Sequence, residues 1–178
     1  RGALAGARGF RTGRQAGVTP DEFLPRVVVP GLELLPMRMH TQEAECILVA
    51  IAGQESDWRY RRQIGGPAHS YFQFENGSLA GVLTLPNTGA YAASACASLD
   101  IACTLEEVYA AIVYCDALAA VMARLLLWSD PTPLPALGDV DGAWQAYDRC
   151  WRPGAPAPAR WPGCYAAALE VVSGLAAA

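Results

Sequence analysis

The chain has 178 residues, 53% of them apolar, with 13 basic and 17 acidic side chains and a formal net charge of −4. That length and composition predict one domain with a full core, not a disordered chain. Every basic residue is an arginine and only two histidines occur. This excludes lysine Schiff-base chemistry, lysine-containing phosphate loops and multi-histidine metal centres.

Residues 1–17 hold Arg1, Arg8, Arg11 and Arg14, five glycines and no acid, leaving a formal −8 on residues 18–178. The first segment reads as a flexible arm and the remainder as the folded domain. So acidic a body is not expected to present a nucleic-acid surface, and any such contact is assigned to the arm. No apolar signal region follows the arginines, so no secretory signal is expected.

Thr19-Pro20-Asp21-Glu22 has the pattern of a capping box with proline at the first helical position, and Phe23, Leu24, Val27 and Val28 follow at helical spacing. Pro30 is expected to interrupt this helix, with leucines continuing to Pro36. Thr41 opens the next helix, and Glu43 and Glu45 lie in its first turn, where the helix dipole favours anions. The run Cys46-Ile47-Leu48-Val49-Ala50-Ile51-Ala52 predicts burial on most sides.

After Trp58 the helical period disappears, and Gly65-Gly66-Pro67 marks an irregular or β-hairpin segment over residues 59–75. Thr104-Leu105-Glu106-Glu107 is a second capping box, and Asp116 is expected to cap a helix running to Trp128. That helix holds the longest apolar stretch, about twelve residues interrupted by Arg124 and too short to span a bilayer. Pro131, Pro133 and Pro135 predict a stiff connector. Asp139 or Asp141 starts a helix through Trp144, Tyr147 and Trp151, and a last helix begins near Pro162. The fold class is mainly α. The six cysteines form no CxxC pair, so they are read mostly as small buried hydrophobes, with one bridged pair left open.

The chemistry concentrates in Gly53-Gln54-Glu55-Ser56-Asp57-Trp58 and the segment after it. Glu55 closes an apolar helix. Desolvation and the negative end of the helix dipole should both raise its pKa, the condition a general acid needs near neutral pH. A cysteine amidase pairing Cys46 with His69 or His40 is the rival chemistry, yet Cys46 sits within an apolar helix where nothing lowers its pKa. His69, in an irregular loop, reads as solvated.

Glu55-Ser56, the stretch Gly66-Pro67-Ala68-His69-Ser70-Tyr71-Phe72-Gln73, and Ala146-Tyr147-Asp148 occur in that order. Together they resemble the lysozyme-like superfamily, in particular soluble lytic transglycosylases and goose-type lysozymes. Those families carry Glu-Ser, Gly-Ala-x-Gly-Leu-Met-Gln and Ala-Tyr-Asn, so Ser70 and Asp148 depart from the pattern. Virion-associated lysozyme-like proteins of tailed bacteriophages are closer still, through Gln54-Glu55-Ser56, Gly65-Gly66-Pro67-Ala68, Phe72-Gln73-Phe74-Glu75 and Trp151-Arg152-Pro153-Gly154. The likeness spans roughly residues 18–165.

The resemblance implies an α+β lysozyme-like fold without cofactor or metal. It implies cleavage of the β-1,4 bond between N-acetylmuramic acid and N-acetylglucosamine, with Glu55 as acid and then base. The expected setting is a phage particle, tail or internal, among other virion proteins and acting in the host periplasm or cell wall. It implies substrate contacts from Ser56 and Gln73, and a Tyr147 hydroxyl that reaches Glu55. Tyr71 and Phe72 are candidates to stack on sugars, although one of them must face the core if the segment is extended. Asp57, about 200° further round the helix, and Glu75 are the candidate second carboxylates. Such a fold can also persist without activity, as a virion structural or wall-binding part, and that is the second expectation.

Overall fold

The computed structural model describes residues 17–176, so the expected arm falls outside them except for Gly17. The described chain is mainly helical. The helices are α1 (Pro20–Phe23), α2 (Val29–Leu32), α3 (Gln42–Ser56), α4 (Asn76–Thr84), α5 (Gly89–Ser98), α6 (Leu105–Ala111), α7 (Asp116–Ser129), α8 (Val140–Trp151) and α9 (Trp161–Ala176). None is long and apolar enough to cross a membrane.

The first helix begins as expected, with Thr19 accepting from the Glu22 amide and Glu22 answering at the Thr19 amide. Pro30 does not interrupt it. A π turn, Leu24–Val28, joins α1 to α2, and the Val29 amide reaches back five residues to the Leu24 carbonyl. The wider turn accommodates Pro25 and Pro30, which lack the amides a regular ladder would use. Gly31 then lets α2 press on α7, for a Cβ there would lie 2.6 Å from the Ala117 carbonyl oxygen and the Ala120 methyl.

Helix α3 is the central rod, packed against α9, α7 and the π turn. Ile47, Leu48, Val49 and Ile51 are buried along it. Each contributes about 1.5–3 kcal/mol of apolar burial against about 1–2 kcal/mol of backbone entropy per residue. Thr41 caps its start by accepting from the Ala44 amide. At its end Asp57 (φ 60°) and Trp58 (φ 53°) are both left-handed. The Trp58 indole folds back over Gly53 and donates to the Val49 carbonyl at 2.9 Å. The chain therefore turns away immediately after Glu55.

Thr104 caps α6 by accepting from Glu107, but its own amide is occupied by the Ala102 carbonyl, so the reciprocal half of the expected box is not made. Cys115, not Asp116, is the residue before α7, and Asp116 is its first helical residue. Asp139 caps α8 by accepting from Gly142. All six cysteines are free. Cys46, Cys96 and Cys164 are buried, whereas Cys103 is exposed and Cys115 and Cys150 are half-buried.

Residues 59–75 form a tight irregular layer with isolated antiparallel pairings of Arg62 with His69 and His69 with Phe74. His69 and Phe74 exchange both backbone bonds, at 2.9 and 2.7 Å. Between them Ser70 (φ 66°) and Gln73 (φ 49°) are left-handed. Ser70 thus occupies a conformation that favours glycine, and its Oγ accepts from the Phe72 amide.

Candidate active site

A groove of about 1230 Å³ runs between the end of α3, α4 and the end of α8. Glu55, Gln73, Glu75, Asp130, Trp151 and Arg152 are among its lining residues. Glu55 is half-buried at the last turn of α3, where the apolar rod meets the groove.

The opposite support is aromatic. On α8, Tyr147 is 2% exposed and stacks on Trp161, the first residue of α9, with ring centroids 5.2 Å apart and an interplanar angle of 16°. Trp144 and Trp151, at 5.3 and 6.0 Å, hold it from two further directions. Three aromatic rings fix the phenol, and its hydroxyl donates to Glu55 Oε1 at 2.6 Å. With Oε1 accepting that bond, Oε2 is left available to hold the proton when Glu55 is neutral.

Burial pushes the Glu55 pKa above the usual carboxylate range. The Tyr147 bond and the positive charge of Arg160 oppose the shift without cancelling it. Tyr147 is itself driven up by burial and by the neighbouring carboxylate, so it remains a neutral donor. Arg160 donates to the Gly53 carbonyl and to Asp57, each at 3.1 Å, and so covers the negative end of α3.

Gln73 lines the groove, but not as a strand residue. Its left-handed turn lets the side-chain amide donate to the Ser70 and Tyr60 carbonyls, at 2.7 and 3.2 Å. Glu75 is exposed on the groove wall, immediately before α4. Asp57 is not a groove residue and pairs with Arg160 on the surface.

Three expected or candidate substrate contacts, Tyr71, Phe72 and Ser56, fall inside the protein instead. Tyr71 is 1% exposed and packs edge-on to Phe23 at 5.1 Å, with the Arg61 guanidinium over its ring. Phe72 is buried as well. Residues 70–73 are a turn, not a strand, so successive rings do not alternate between faces. Ser56 is 3% exposed and its hydroxyl donates to the Ala52 carbonyl at 2.9 Å, completing the end of α3. His69 is not a solvated loop residue either. Its ring stacks on Tyr109 at 3.9 Å, with Nδ1 against the Tyr109 carbonyl and Nε2 against Arg62. Cys46 is buried, and its thiol is pushed up to about 11 by that burial, the reverse of an activated nucleophile.

Sequence reasoning missed two groove residues. Trp151 follows Tyr147 by one turn, so the same helical face that supports Glu55 also supplies an aromatic wall, fixed by an indole bond to the Phe72 carbonyl at 2.9 Å. Asp130 sits just past α7 in a proline-rich connector that carries no local mark of chemistry. Burial would raise its pKa, but bonds from the Thr132 amide and from Arg149 outweigh that and hold it below the usual range. One groove thus contains a carboxyl favoured as acid and another favoured as anion.

Among the described residues, no cluster of three or more His, Cys, Asp or Glu is arranged to hold a metal ion. No family model, curated protein or solved structure matches the chain.

Proposed function

We propose that this protein cleaves the glycan strands of peptidoglycan at the β-1,4 bond between N-acetylmuramic acid and N-acetylglucosamine, with Glu55 as the general acid and base. One observation carries the reading: a carboxyl of raised pKa, held by a buried phenol at 2.6 Å, on a groove large enough for several sugar rings. The order of the lysozyme-like motifs supports the same substrate.

In the first step Glu55 gives its proton to the bridging glycosidic oxygen. The bond from that oxygen to the anomeric carbon breaks, and positive charge develops on the muramoyl ring. The carboxylate left behind faces that charge, and Tyr147 steadies it through the bond to Oε1. The muramoyl 6-hydroxyl then attacks the anomeric carbon and its proton passes to Glu55. The product is a 1,6-anhydro end, and the acid is restored.

That route needs one carboxylate, whereas hydrolysis with a second base needs two at a set separation. The other carboxylates near Glu55 suit the first route better. Asp57 is paired with Arg160, Asp130 is tied to Arg149 and Thr132, and Glu75 lies exposed at the entry to α4. Trp151 offers a flat face for a sugar ring, and Gln73 lines the same groove as the acid. A role within a phage particle, piercing the host wall, fits this chemistry and rests on the sequence likeness.

Clearing of purified peptidoglycan between pH 4 and 9 tests the proposal. Wild-type protein should give a bell-shaped rate whose upper limb follows the raised Glu55 pKa, and Glu55→Gln should be inactive. No clearing by either protein would favour a structural or wall-binding part, and a flat profile would remove Glu55 from the mechanism.

A further inference from the structure

Arg124 lies in the middle of α7 and is only 3% exposed. Its Nε donates to the Met39 carbonyl at 2.8 Å, and its guanidinium lies over the Trp128 ring at 5.1 Å. Nη1 is buried with no hydrogen-bond partner. No carboxylate pairs with this cation among the described residues. The salt bridges found there belong to Arg26, His40, Arg61, Arg149 and Arg160. An uncompensated buried charge is costly, and a guanidinium presents a fork of donors shaped for oxyanions.

Beside Arg124 is a half-open pocket of about 310 Å³, lined by Leu127, Trp128, Asp130, Pro131, Thr132, Pro133 and Leu134. It is separate from the glycan groove but meets it at Asp130 and Pro131. Asp130 does not serve as the missing counter-ion. One of its oxygens accepts from the Thr132 amide at 3.0 Å and the other from Arg149 at 2.9 Å. Apart from Thr132, the remaining lining residues are apolar. The pocket therefore offers a cationic end at Arg124, a carboxylate at Asp130 already paired with Arg149, and a mostly apolar body, at the small end of the range for ligand pockets.

We infer that this pocket binds a small organic oxyanion, its carboxylate or phosphate head on Arg124 and its apolar body against the prolines, Leu127 and Leu134. The inference does not depend on glycan cleavage, and its test does not read activity.

Thermal unfolding of the full chain would be followed with benzoate and with phenyl phosphate, against chloride at equal ionic strength. A ligand that binds only the folded state raises Tm saturably, by about 2–4 °C at roughly sixfold its Kd for a chain this size. Arg124→Gln should abolish that rise. Should Arg124→Gln fail to fold, Leu134→Trp leaves the cation in place but fills the pocket, and it should abolish the rise equally. Response to both probes supports a general oxyanion site. Response to benzoate alone narrows it to carboxylates, and response to phenyl phosphate alone to phosphate esters. A Tm that tracks ionic strength only, or a rise that persists in Leu134→Trp, overturns the inference.

Discussion

The end of α3 and the irregular layer of residues 59–75 face the same groove but are held by different physics. The α3 end is fixed by apolar burial: Ile47 to Ala52 on the rod, and a stack of rings at 5.2–6.0 Å around Tyr147. The irregular layer shares that core through Tyr71, Phe72 and Phe74 and adds polar pins to distant elements. Arg61 pairs bidentately with Asp116, His69 meets the Tyr109 carbonyl, and the Tyr109 hydroxyl donates to Pro67. Core packing places Glu55, whereas directional bonds shape the loop wall of the groove. The first region should resist small perturbation, and the second should loosen by increments.

The strongest separation of the two comes from Glu55→Gln. Loss of a general acid should lower glycan cleavage about 10²–10⁴-fold, measured by peptidoglycan clearing, with the irregular layer undisturbed. The same variant also carries a stability signature. Because burial raises the folded-state pKa of Glu55, the folded protein holds that proton more tightly than the unfolded chain does. That contribution is full at acid pH and is lost as pH rises through the folded pKa. Glu55→Gln should therefore unfold at a higher temperature than wild type above that pKa, and the gap should close in acid.

Tyr71→Ala tests one of the core anchors of the irregular layer, which it shares with Phe72 and Phe74. Removing a ring packed on Phe23 should cost about 3–5 kcal/mol in denaturant unfolding. Activity per folded molecule should hold, since the ring does not reach the groove. An intermediate effect is expected of Tyr147→Phe, which deletes a hydrogen bond to the acid at no cost in ring packing. Cleavage should fall about 10–100-fold. The bond favours the carboxylate form, so its loss should move the upper limb of the pH profile to higher pH. Smallest is Asp116→Ala. The Arg61 and Asp116 side chains are 39% and 23% exposed, so solvent screening limits the loss to about 1 kcal/mol, with hydrogen exchange rising first in residues 61–70.

The same contrast governs how far the sequence could be read. The α3 rod, the Thr19, Thr41 and Asp139 caps, and the Glu55 position follow from patterns within a few residues, where burial period and capping chemistry act. Even there Pro30 misleads, because a π turn absorbs what a regular helix could not. Helices α4 and α5 begin without a side-chain cap bond and carry Gly77, Gly81 and Gly89, so they send no start signal. The irregular layer was legible only as a break in period. Its pins join residues 40 to 55 positions apart, and no local pattern encodes them. In sequence Tyr71 reads as a candidate sugar platform because alternation assumes an extended chain, which the left-handed turns at Ser70 and Gln73 exclude. Asp130 gave no sign of its place in the groove, since its ion-pair partner Arg149 and the groove's Glu55 lie on other elements.

The reaction itself is open to direct reading by the masses of fragments released from purified peptidoglycan by wild-type protein and by Glu55→Gln. Muropeptides with 1,6-anhydro ends, one water lighter than their hydrolysed counterparts, should arise with the wild type and be missing with the variant. Equal release by both proteins, or no glycan fragments from the wild type, would contradict a Glu55-driven cleavage of the strand.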